Sequence, residues 1–329
     1  MDAEALLRAL ADGAERPAGG PARHSPAVEA ALAQHRAKLD EWGLVVTAVP
    51  GEGFRLAAPL DLVDASALRA ALPRDVAPHV AALDVLVETD STNRVLLERA
   101  PPPHGALDVC IAEYQHAGRG RRGRAWRAPL GACLCLSAAW RFAETPAELP
   151  ALALAVGVAV RRAVARAAAV DVALKWPNDL VFDGRKLGGV LLELDTRTQG
   201  GCRVVAGVGL NVAVPERVLA SLCDWPRGAI DLATARVAAP PSRTALAAAL
   251  VAELARLFAA YAARGFAPYR AEWEAADCLR GRDVAVHEAS GTLAGAALGV
   301  DADGALLLAT ARGERRRVLA GDVSVRAVP

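Results

Sequence analysis

The spacing of hydrophobic residues divides the chain into three segments, 1–64, 65–275 and 276–329, and we expect each segment to fold as a domain. In the first segment, hydrophobic residues at helical spacing precede a helix that opens at Pro26, with Ser25 as its cap. Two short alternating runs around a Pro-Gly-Glu-Gly turn then predict a β-hairpin. Helices followed by such a hairpin are typical of a winged helix-turn-helix.

Strand patterns outnumber helical patterns in the middle segment. The predicted strands cover residues 83–87, 109–113, 132–140, 172–175, 180–182, 189–194 and 203–211. The predicted helices cover residues 93–99 and 147–168, and two more lie between residues 243 and 276. From residue 282 onward, short strands around an Asp-Ala-Asp-Gly turn predict a small terminal barrel. The whole pattern predicts an α+β protein with a mixed central sheet.

Composition and charge exclude several broad classes of protein. The chain of 329 residues is 53% hydrophobic and 23% charged, which is typical of a globular protein. Its longest apolar run, residues 151–160, is shorter than the roughly 20 residues that a membrane span needs. The N-terminus begins with acidic residues, so no signal peptide is predicted and we expect a cytoplasmic protein without a membrane partner. The net charge of +1 does not favour a protein that mainly coats nucleic acid.

Rare residue types mark positions where chemistry is expected. Among 38 basic residues only three are lysines, and the chain has only three asparagines, while arginine and alanine dominate elsewhere. A residue type that persists against such a bias is a candidate for a position where its substitute fails chemically. Two of the lysines, Lys175 and Lys186, and all three asparagines, Asn93, Asn178 and Asn211, fall in the motifs described next.

The first motif is an arginine-rich loop, residues 115–126, in which four arginines alternate with three glycines. Glycine lets the backbone approach a phosphate closely, and a guanidinium group binds phosphate or carboxylate through two parallel hydrogen bonds. This composition predicts a loop that closes over an anion. A solvated basic loop and an RNA-binding segment remain as alternatives.

The second motif combines Lys-Trp-Pro-Asn-Asp at residues 175–179 with a lysine-bearing turn at residues 183–189. A lysine ammonium group can bind a carboxylate or phosphate oxygen, and the carboxylate of Asp179 can hold magnesium. These residues predict a second cationic element of an anion site. The alternative is an ordinary hairpin with an exposed, charged tip.

Two further motifs are weaker by themselves. In Glu-Thr-Asp-Ser-Thr-Asn at residues 88–93, a strand ends and hydroxyl or amide groups precede a helix, and most such groups are only helix caps. In Gly-Val-Gly-Leu-Asn at residues 207–211, two glycines share one face of a strand and leave room for a flat ligand. The alternative there is a bulge or close packing.

In this order and spacing, the four motifs together resemble those of the bifunctional biotin ligase and biotin-operon repressor family. The resemblance extends over essentially the whole chain and is most specific from Ser91 to Asn211. It implies a winged helix-turn-helix, a catalytic domain like that of class II aminoacyl-tRNA synthetases and lipoate ligases, and a small SH3-like barrel. The implied activity converts biotin and ATP to biotinyl-5′-AMP and transfers the biotinyl group to a lysine of the biotin carboxyl carrier protein of acetyl-CoA carboxylase.

The resemblance also implies a role for each motif residue. The residues expected to bind biotin are Ser91, Thr92, Asn93, Gln115, Arg119, Gly120, Arg121, Lys186, Gly207 and Gly209. The residues expected to bind ATP or the adenylate are Gly118, Arg122, Arg124, Trp126, Lys175, Asn178, Asp179 and Asn211. Lys186, Arg119 and Arg121 would be catalytic, because they neutralise two anions that must approach each other. Asp179 would hold magnesium, and Trp126 would cover the adenine.

The resemblance leaves a repressor function open. Gly19-Gly20-Pro21 lies where the first helix of the DNA-reading pair should run, and glycine and proline each oppose a helix by about 1 to 3 kcal/mol. The expected recognition helix, residues 26–38, carries few basic residues for phosphate contacts. Operator DNA is one expected partner of this module, and docking onto the catalytic domain is its alternative role. A homodimer in the adenylate-bound form is expected to accompany DNA binding.

Three other functions compete with biotin ligation. A lipoate–protein ligase shares the fold and the adenylate chemistry, but the polar cluster at residues 91–93 with Gln115 favours the ureido ring of biotin. A non-catalytic biotin-sensing repressor is disfavoured because the set of cationic residues needed for synthesis is present. A nucleic-acid-binding protein built on the arginine loop is disfavoured by the near-neutral charge.

Overall fold

The computed structural model describes most of the chain. The described residues are 2–11, 26–49, 53–57, 60–196, 201–221, 225, 227–236, 241–288, 291–319 and 321–325. Within them, nine α-helices and fourteen strands form an N-terminal module, a seven-stranded central sheet with its helices, and a five-stranded C-terminal sheet. The Ser25 cap, the glycine–proline segment at 19–21 and the turn at 50–52 lie outside the described residues.

Most of the predicted elements are present, with small shifts at their ends. The helices are α1 Ala3–Ala11, α2 Pro26–Glu41, α3 Ala65–Ala71, α4 Thr92–Glu98, α5 Leu152–Ala168, α6 Glu216–Leu219, α7 Leu232–Ala235, α8 Arg243–Arg264 and α9 Ala267–Ala276. The strands are β1 Val46–Val49, β2 Gly53–Leu56, β3 Val80–Thr89, β4 Leu107–Gln115, β5 Cys133–Phe142, β6 Ala173–Lys175, β7 Asp179–Phe182, β8 Arg185–Asp195, β9 Cys202–Asn211, β10 Asp283–Glu288, β11 Gly291–Val300, β12 Leu306–Ala309, β13 Arg315–Val318 and β14 Asp322–Val325. The sequence pattern missed α3, α6 and α7. The last two have only four residues each, which is too short to show a helical period.

The central sheet has the strand order β3-β4-β5-β9-β8-β7-β6, in which β3 and β4 are parallel and the other neighbours antiparallel. Helices α5 and α8 pack on one face and bury the main hydrophobic core. On β9, the residues Val204, Ala206, Val208 and Leu210 belong to this core. Since side chains alternate along a strand, the residues between them lie on the opposite face.

Helix α4 covers part of that opposite face. Its Leu96 packs in a small cluster with Cys110, Ala139 and Val205, which come from three adjacent strands. The cluster packs α4, which begins with the Ser-Thr-Asn motif, against β4, β5 and β9. One face of the sheet thus packs in the main hydrophobic core, and the other face is covered by α4 and the loops around it.

The N-terminal module consists of α1, α2 and the antiparallel hairpin β1–β2. At its contact with the central sheet, Lys38 Nζ donates to Glu88 Oε1 over 2.7 Å, and Trp42 Nε1 donates to Glu88 Oε2 over 3.1 Å. Burial by itself would raise the pKa of Glu88, but the hydrogen bonds from Lys38 and Trp42 hold it below its ordinary value. Helix α2 is therefore docked on the end of β3, close to the Ser-Thr-Asn motif.

A buried ion pair joins the segment after the module to the central domain. Arg243, at the start of α8, lies 2.5 Å from the carboxylate of Glu113 on β4, and both side chains are buried. Arg243 also donates to the carbonyl oxygens of Cys133 and Asp61, and Glu113 accepts from the backbone N–H of Val63. These bonds satisfy both charged groups, so α8, two sheet strands and the segment at 61–63 meet at one point.

The C-terminal strands form an antiparallel sheet with the order β13-β12-β11-β10-β14. The predicted strands and the turn at 301–304 are present, but the predicted closure is not, because β13 and β14 end the sheet without pairing in its described residues. The sequence shows strand alternation but not which edges meet. The C-terminal unit is therefore an open five-stranded sheet rather than the expected barrel.

Among the described residues, Arg243–Arg264 (α8) is long and apolar enough to cross a membrane by length and composition. In the structure, 67% of its most apolar window is buried within the protein. It packs against α5 and β5 as part of the main core. Core helices commonly pass the same test, so this feature is weak evidence for a membrane span.

We expect the variant Arg243→Ala to lower the free energy of unfolding by about 3–5 kcal/mol, because it leaves the Glu113 carboxylate buried without a partner. The matched control is Arg256→Ala, which removes a largely exposed ion pair with Asp75 and should cost about 1 kcal/mol or less. Its other partner, Glu253, keeps ion pairs with Arg162 and Arg166. Urea denaturation followed by circular dichroism measures both values. Equal losses in the two variants would contradict the role given to the buried pair.

Candidate active site

A cavity of about 700 Å³ opens on the face of the central sheet that carries α4. Its floor is built from two rows of residues that pair across β8, β9 and β5. One row is Gly189, Gly209 and Cys135, and the next is Leu191, Gly207 and Ser137. All of these residues except Ser137 line the cavity.

The two glycines of β9 allow side chains to lie directly on the sheet. A Cβ atom at Gly207 would overlap Asn93 Oδ1, and one at Gly209 would lie 2.6 Å from Trp126 Cε2. The sequence predicted room for a flat ligand above these glycines. In the structure the room is taken by Asn93 and by the indole of Trp126, which themselves line the cavity.

A cluster of hydroxyl and amide groups lies where β3 passes into α4. Gln115 Oε1 accepts from the backbone N–H of Thr92 at 2.8 Å, and Thr92 Oγ1 lies 2.7 Å from Ser137 Oγ. Ser91 holds the cap position of α4, yet its side chain makes no capping hydrogen bond. The triplet is therefore more than a helix cap, and Ser91, Thr92, Asn93 and Gln115 all line the cavity.

The arginine-rich loop folds back on itself above this cluster. Trp126 N donates to Gly118 O at 2.8 Å, and Gly120 N donates to Arg124 O at 2.7 Å. The tip turns through Arg122, which has a φ of 56°. The loop residues on the cavity lining are Arg119, Gly120, Arg121, Arg124, Ala125 and Trp126.

Two predicted ATP-binding residues of this loop, Gly118 and Arg122, do not line the cavity. A Cβ atom at Gly118 would lie 2.6 Å from the carbonyl oxygen of Trp126, so this glycine permits the close approach of the two ends of the loop. The left-handed backbone at Arg122 turns its side chain away, and its guanidinium lies 3.5 Å from the carbonyl oxygen of His287. The position of each residue in the loop, which composition does not give, decides where its side chain points.

The two lysines of the second motif face the same cavity. A two-residue turn with positive φ at Asp183 and Gly184 joins β7 to β8, and this hairpin brings Lys186 Nζ to 2.6 Å from Asp179 Oδ1. Lys175 Nζ lies 3.8 Å from the ring centroid of Trp225, whose ring is also 5.5 Å from Lys186 Nζ. Trp225 lines the cavity, and the sequence offered no motif that would have identified it.

The asparagines of the motifs are hydrogen-bonded within the protein. Asn178 Nδ2 donates to Val190 O at 2.6 Å, and its Oδ1 lies 3.4 Å from Arg121 Nη1. Asn211 is buried, and its amide donates to Ile230 O at 3.0 Å. Both line the cavity, and their amides also position the strands and the loop around it.

The cavity also takes residues from the C-terminal part of the chain, which sequence reasoning missed. They are Cys278, Leu279, Arg282, His287 and Val323. Of two thiols on the lining, Cys135 is buried and Cys278 is partly buried, and desolvation raises the pKa of each to about 11. Both thiols are therefore protonated near neutral pH and unsuited to act as nucleophiles.

Comparison with protein families identifies two regions of similarity. The profile of the biotin/lipoate A/B protein ligase family matches residues 86–211, which contain all the predicted site residues. The profile of the biotin protein ligase C terminal domain matches residues 281–326. These ranges contain most of the central sheet and the C-terminal sheet.

Similar proteins and structures extend over most of the chain. The bifunctional ligase/repressor BirA of Escherichia coli is 38% identical over 297 residues, which are 90% of this chain and 88% of that protein. The biotin–[acetyl-CoA-carboxylase] ligase of Paracoccus denitrificans is 32% identical over 226 residues, which are 68% of this chain and 92% of that protein. The structure of the biotin protein ligase from Aquifex aeolicus in complex with biotin and ATP matches with a TM-score of 0.62 and 25% identity, covering 75% of this chain and 100% of that chain.

We expect Gly209→Ala to destabilise the protein by about 1–3 kcal/mol, because the new methyl group would overlap the Trp126 indole that rests on the strand. The control is Gly157→Ala, a buried helical glycine where a Cβ atom would lie 3.6 Å from its nearest neighbour, so stability should be unchanged or raised. Urea denaturation compares the two. Equal stability of both variants would mean that Trp126 does not rest on Gly209.

Proposed function

The chain belongs to the biotin protein ligase family, and on that premise we propose that it activates biotin with ATP and transfers the biotinyl group to a lysine of a carrier protein. The observation that carries the proposal is that one cavity is lined both by the Ser91–Asn93 cluster and by the cations Arg119, Arg121 and Lys186. A ligand with a polar ring, an apolar body and a carboxylate suits such a lining. The similar ligase from Aquifex aeolicus is seen in complex with biotin and ATP.

The polar cluster is suited to a ureido ring, which offers two N–H donors and one carbonyl acceptor. Thr92 is buried and lies beside Gln115, so a ligand without a matching N–H would cover their side-chain oxygens without supplying a hydrogen bond. Lipoate and octanoate lack a ureido group. The cluster therefore favours biotin over the substrates of a lipoate ligase.

The chemical step joins two anions. An oxygen of the biotin carboxylate forms a bond to the α-phosphorus of ATP while the bond from that phosphorus to pyrophosphate breaks. We assign charge neutralisation in this step to Arg119, Arg121 and Lys186, because fixed cations in a cavity stabilise the negative charge of the transition state. The lysine amine of the carrier then attacks the biotinyl carbonyl carbon, and AMP leaves. Neither step needs a nucleophile from the protein.

A magnesium ion could bind in this cavity with a single protein carboxylate, that of Asp179, as its ligand. The described residues contain no group of three or more histidine, cysteine or acidic side chains able to hold a metal ion. Magnesium commonly takes one or two protein carboxylates and completes its shell with phosphate oxygens and water, so Asp179 would suffice as the protein ligand. When bound, magnesium supplies further neutralisation of the phosphate charge. Asp179 also holds Lys186 at 2.6 Å, which keeps that ammonium group on the cavity wall.

The arginine loop would also protect the adenylate. A mixed anhydride hydrolyses readily, and a loop that covers the cavity excludes water until the carrier lysine arrives. Trp126 sits at the base of this loop, on the sheet floor, where we propose that it covers the adenine. Lys175, Arg124, Asn178 and Asn211 would complete the nucleotide side of the cavity.

We propose the biotin carboxyl carrier protein of acetyl-CoA carboxylase as the acceptor, in line with the name of the Paracoccus relative. The outer edge of β8 is a suitable docking surface, because β7 pairs with it only from Arg185 to Gly189. Beyond Gly189 the edge has no strand partner in the described residues, and Leu194 is 50% exposed. The same edge would serve a homodimer of the adenylate-bound form, so carrier and second copy would compete for it.

Repression of a biotin operon is a second candidate function. The match to the Escherichia coli ligase/repressor covers 90% of the chain, whereas residues 65–329 make up about four fifths of it, so the similarity must extend into the N-terminal module. A winged helix-turn-helix would read operator DNA with α2. Against this, Lys38 of α2 is engaged with Glu88 and Glu41 rather than available to a phosphate. A gel shift with the biotin-synthesis promoter, with and without biotin and ATP, tests DNA binding.

Under the proposed function, each of the three segments of the chain corresponds to one domain. We assign residues 1–64 to the winged helix-turn-helix, residues 65–275 to the catalytic domain and residues 276–329 to the C-terminal domain, whose described strands form an open sheet. Biotin, ATP and a carboxylase subunit are metabolites and proteins of the cytoplasm, so we propose a cytoplasmic enzyme.

We expect Lys186→Ala to lose at least about 100-fold in biotin-dependent exchange of labelled pyrophosphate into ATP, because the charge between carboxylate and phosphate is removed. The fold should survive, since the Lys186–Asp179 pair is partly exposed and contributes little to stability. The control is Arg185→Ala, the neighbouring residue, which does not line the cavity and should exchange at the wild-type rate. Near-normal exchange by Lys186→Ala would refute the role given to this lysine.

A further inference from the structure

A series of hydrogen bonds connects the cavity to Glu193 on β8. From the cavity, Gln115 bonds to Thr92, Thr92 contacts Ser137, Ser137 Oγ donates to Asn93 Oδ1 at 2.6 Å, and Asn93 Nδ2 donates to Glu193 Oε2 at 2.7 Å. Ser137 and Glu193 do not line the cavity. These hydrogen bonds therefore connect residues that line the cavity to the Glu193 side chain, which a bound ligand would not touch.

Glu193 and the carbonyl oxygen of Leu191 fix the orientation of the Asn93 amide. A carboxylate and a backbone carbonyl can only accept hydrogen bonds. Asn93 Nδ2 lies 2.7 Å from Glu193 Oε2 and 3.3 Å from Leu191 O, so the NH₂ group must face these two acceptors. The amide oxygen is then left facing Ser137 Oγ. Because Asn93 is only 3% exposed, water does not compete for these bonds.

The fixed amide determines where the hydroxyl protons point. Since Asn93 Oδ1 can only accept, the single proton of Ser137 is directed to it. The contact of 2.7 Å between Thr92 Oγ1 and Ser137 Oγ must then use the proton of Thr92. Ser137 is fully buried, which makes an unsatisfied contact at this point costly.

Thr92 consequently faces the cavity as an acceptor. Its Oγ1 lies 3.2 Å from Gln115 Oε1, which already accepts from the backbone N–H of Thr92 at 2.8 Å. With the Thr92 proton directed to Ser137 by the shorter contact, two acceptor oxygens lie side by side on the cavity lining. A ligand N–H placed between them would satisfy both.

We propose that Glu193 is a positioning residue that, through Asn93 and Ser137, presets Thr92 Oγ1 and Gln115 Oε1 as a receptor for one N–H of the substrate's ureido ring. The inference rests on the proposed function and adds to it the reason why the site selects a donor. Without Glu193 the Asn93 amide can turn over, the hydroxyl protons can reverse, and Thr92 can offer a donor instead. Selectivity for an N–H at this point would then be lost.

The test uses pyrophosphate exchange by the full-length protein with biotin and with its two cyclic carbamate analogues, in each of which oxygen replaces one ureido N–H. We expect Glu193→Ala to raise the KM for biotin roughly tenfold, the equivalent of one hydrogen bond, with the KM for ATP unchanged. The preference for biotin over one carbamate should shrink. Ser137→Ala, which breaks the series of hydrogen bonds at its centre, should shrink the same preference.

Two variants control for a merely structural effect. Glu193→Gln keeps an acceptor oxygen for Asn93 and should restore wild-type selectivity. Glu98→Ala removes an exposed glutamate of α4 that pairs with Arg94, and it should leave every parameter unchanged. An unchanged KM for biotin in Glu193→Ala, or an equal loss with biotin and with both carbamates, would overturn the inference. Absence of exchange by the wild-type protein with biotin would instead overturn the proposed function, and the inference with it.

Discussion

The alternation of side chains along β9 is the constraint on which both the core and the cavity depend. Val204, Ala206, Val208 and Leu210 face α5 and α8, so this strand cannot shift its register by one residue without exposing the core. The same register holds Gly207 and Gly209 on the other face, where Asn93 and Trp126 rest on them. Burial of the apolar face therefore fixes the positions of the residues that surround the ligand.

The cavity has a hydrogen-bonding part, formed by the Ser-Thr-Asn motif, and a positively charged part, formed by arginine and lysine side chains. The Thr92 hydroxyl and the Asn93 amide are buried and already hydrogen-bonded within the protein, which fixes their orientation before a ligand binds. The cations come from different elements, with Arg119 and Arg121 on a loop and Lys186 on β8. A cation on a strand holds a fixed place, whereas cations on a loop can close over the ligand. This arrangement suits a reaction in which substrates enter, react under cover and leave to a protein acceptor.

Local patterns in the sequence predict most of this arrangement. Strand alternation and glycine spacing identify the strands and the motifs. Of the site residues that the family resemblance implies, all except Gly118 and Arg122 line the cavity. Those two differ because the backbone conformation within the loop, including the positive φ of Arg122, directs each side chain. Trp225, Ser137 and Glu193 carry no local signal, since each takes part only through residues distant in sequence. The closure expected of the C-terminal strands was wrong because alternation does not specify which strand edges pair.

We propose that this cavity joins biotin to the α-phosphate of ATP. Exchange of labelled pyrophosphate into ATP by the wild-type protein, with biotin, lipoate and octanoate compared side by side, measures this step without a carrier protein. We expect exchange that depends on biotin and not on the other two acids. Exchange with lipoate or octanoate but not with biotin would contradict it and indicate the related lipoate ligase activity, and no exchange with any of the three would indicate that the cavity does not form an adenylate.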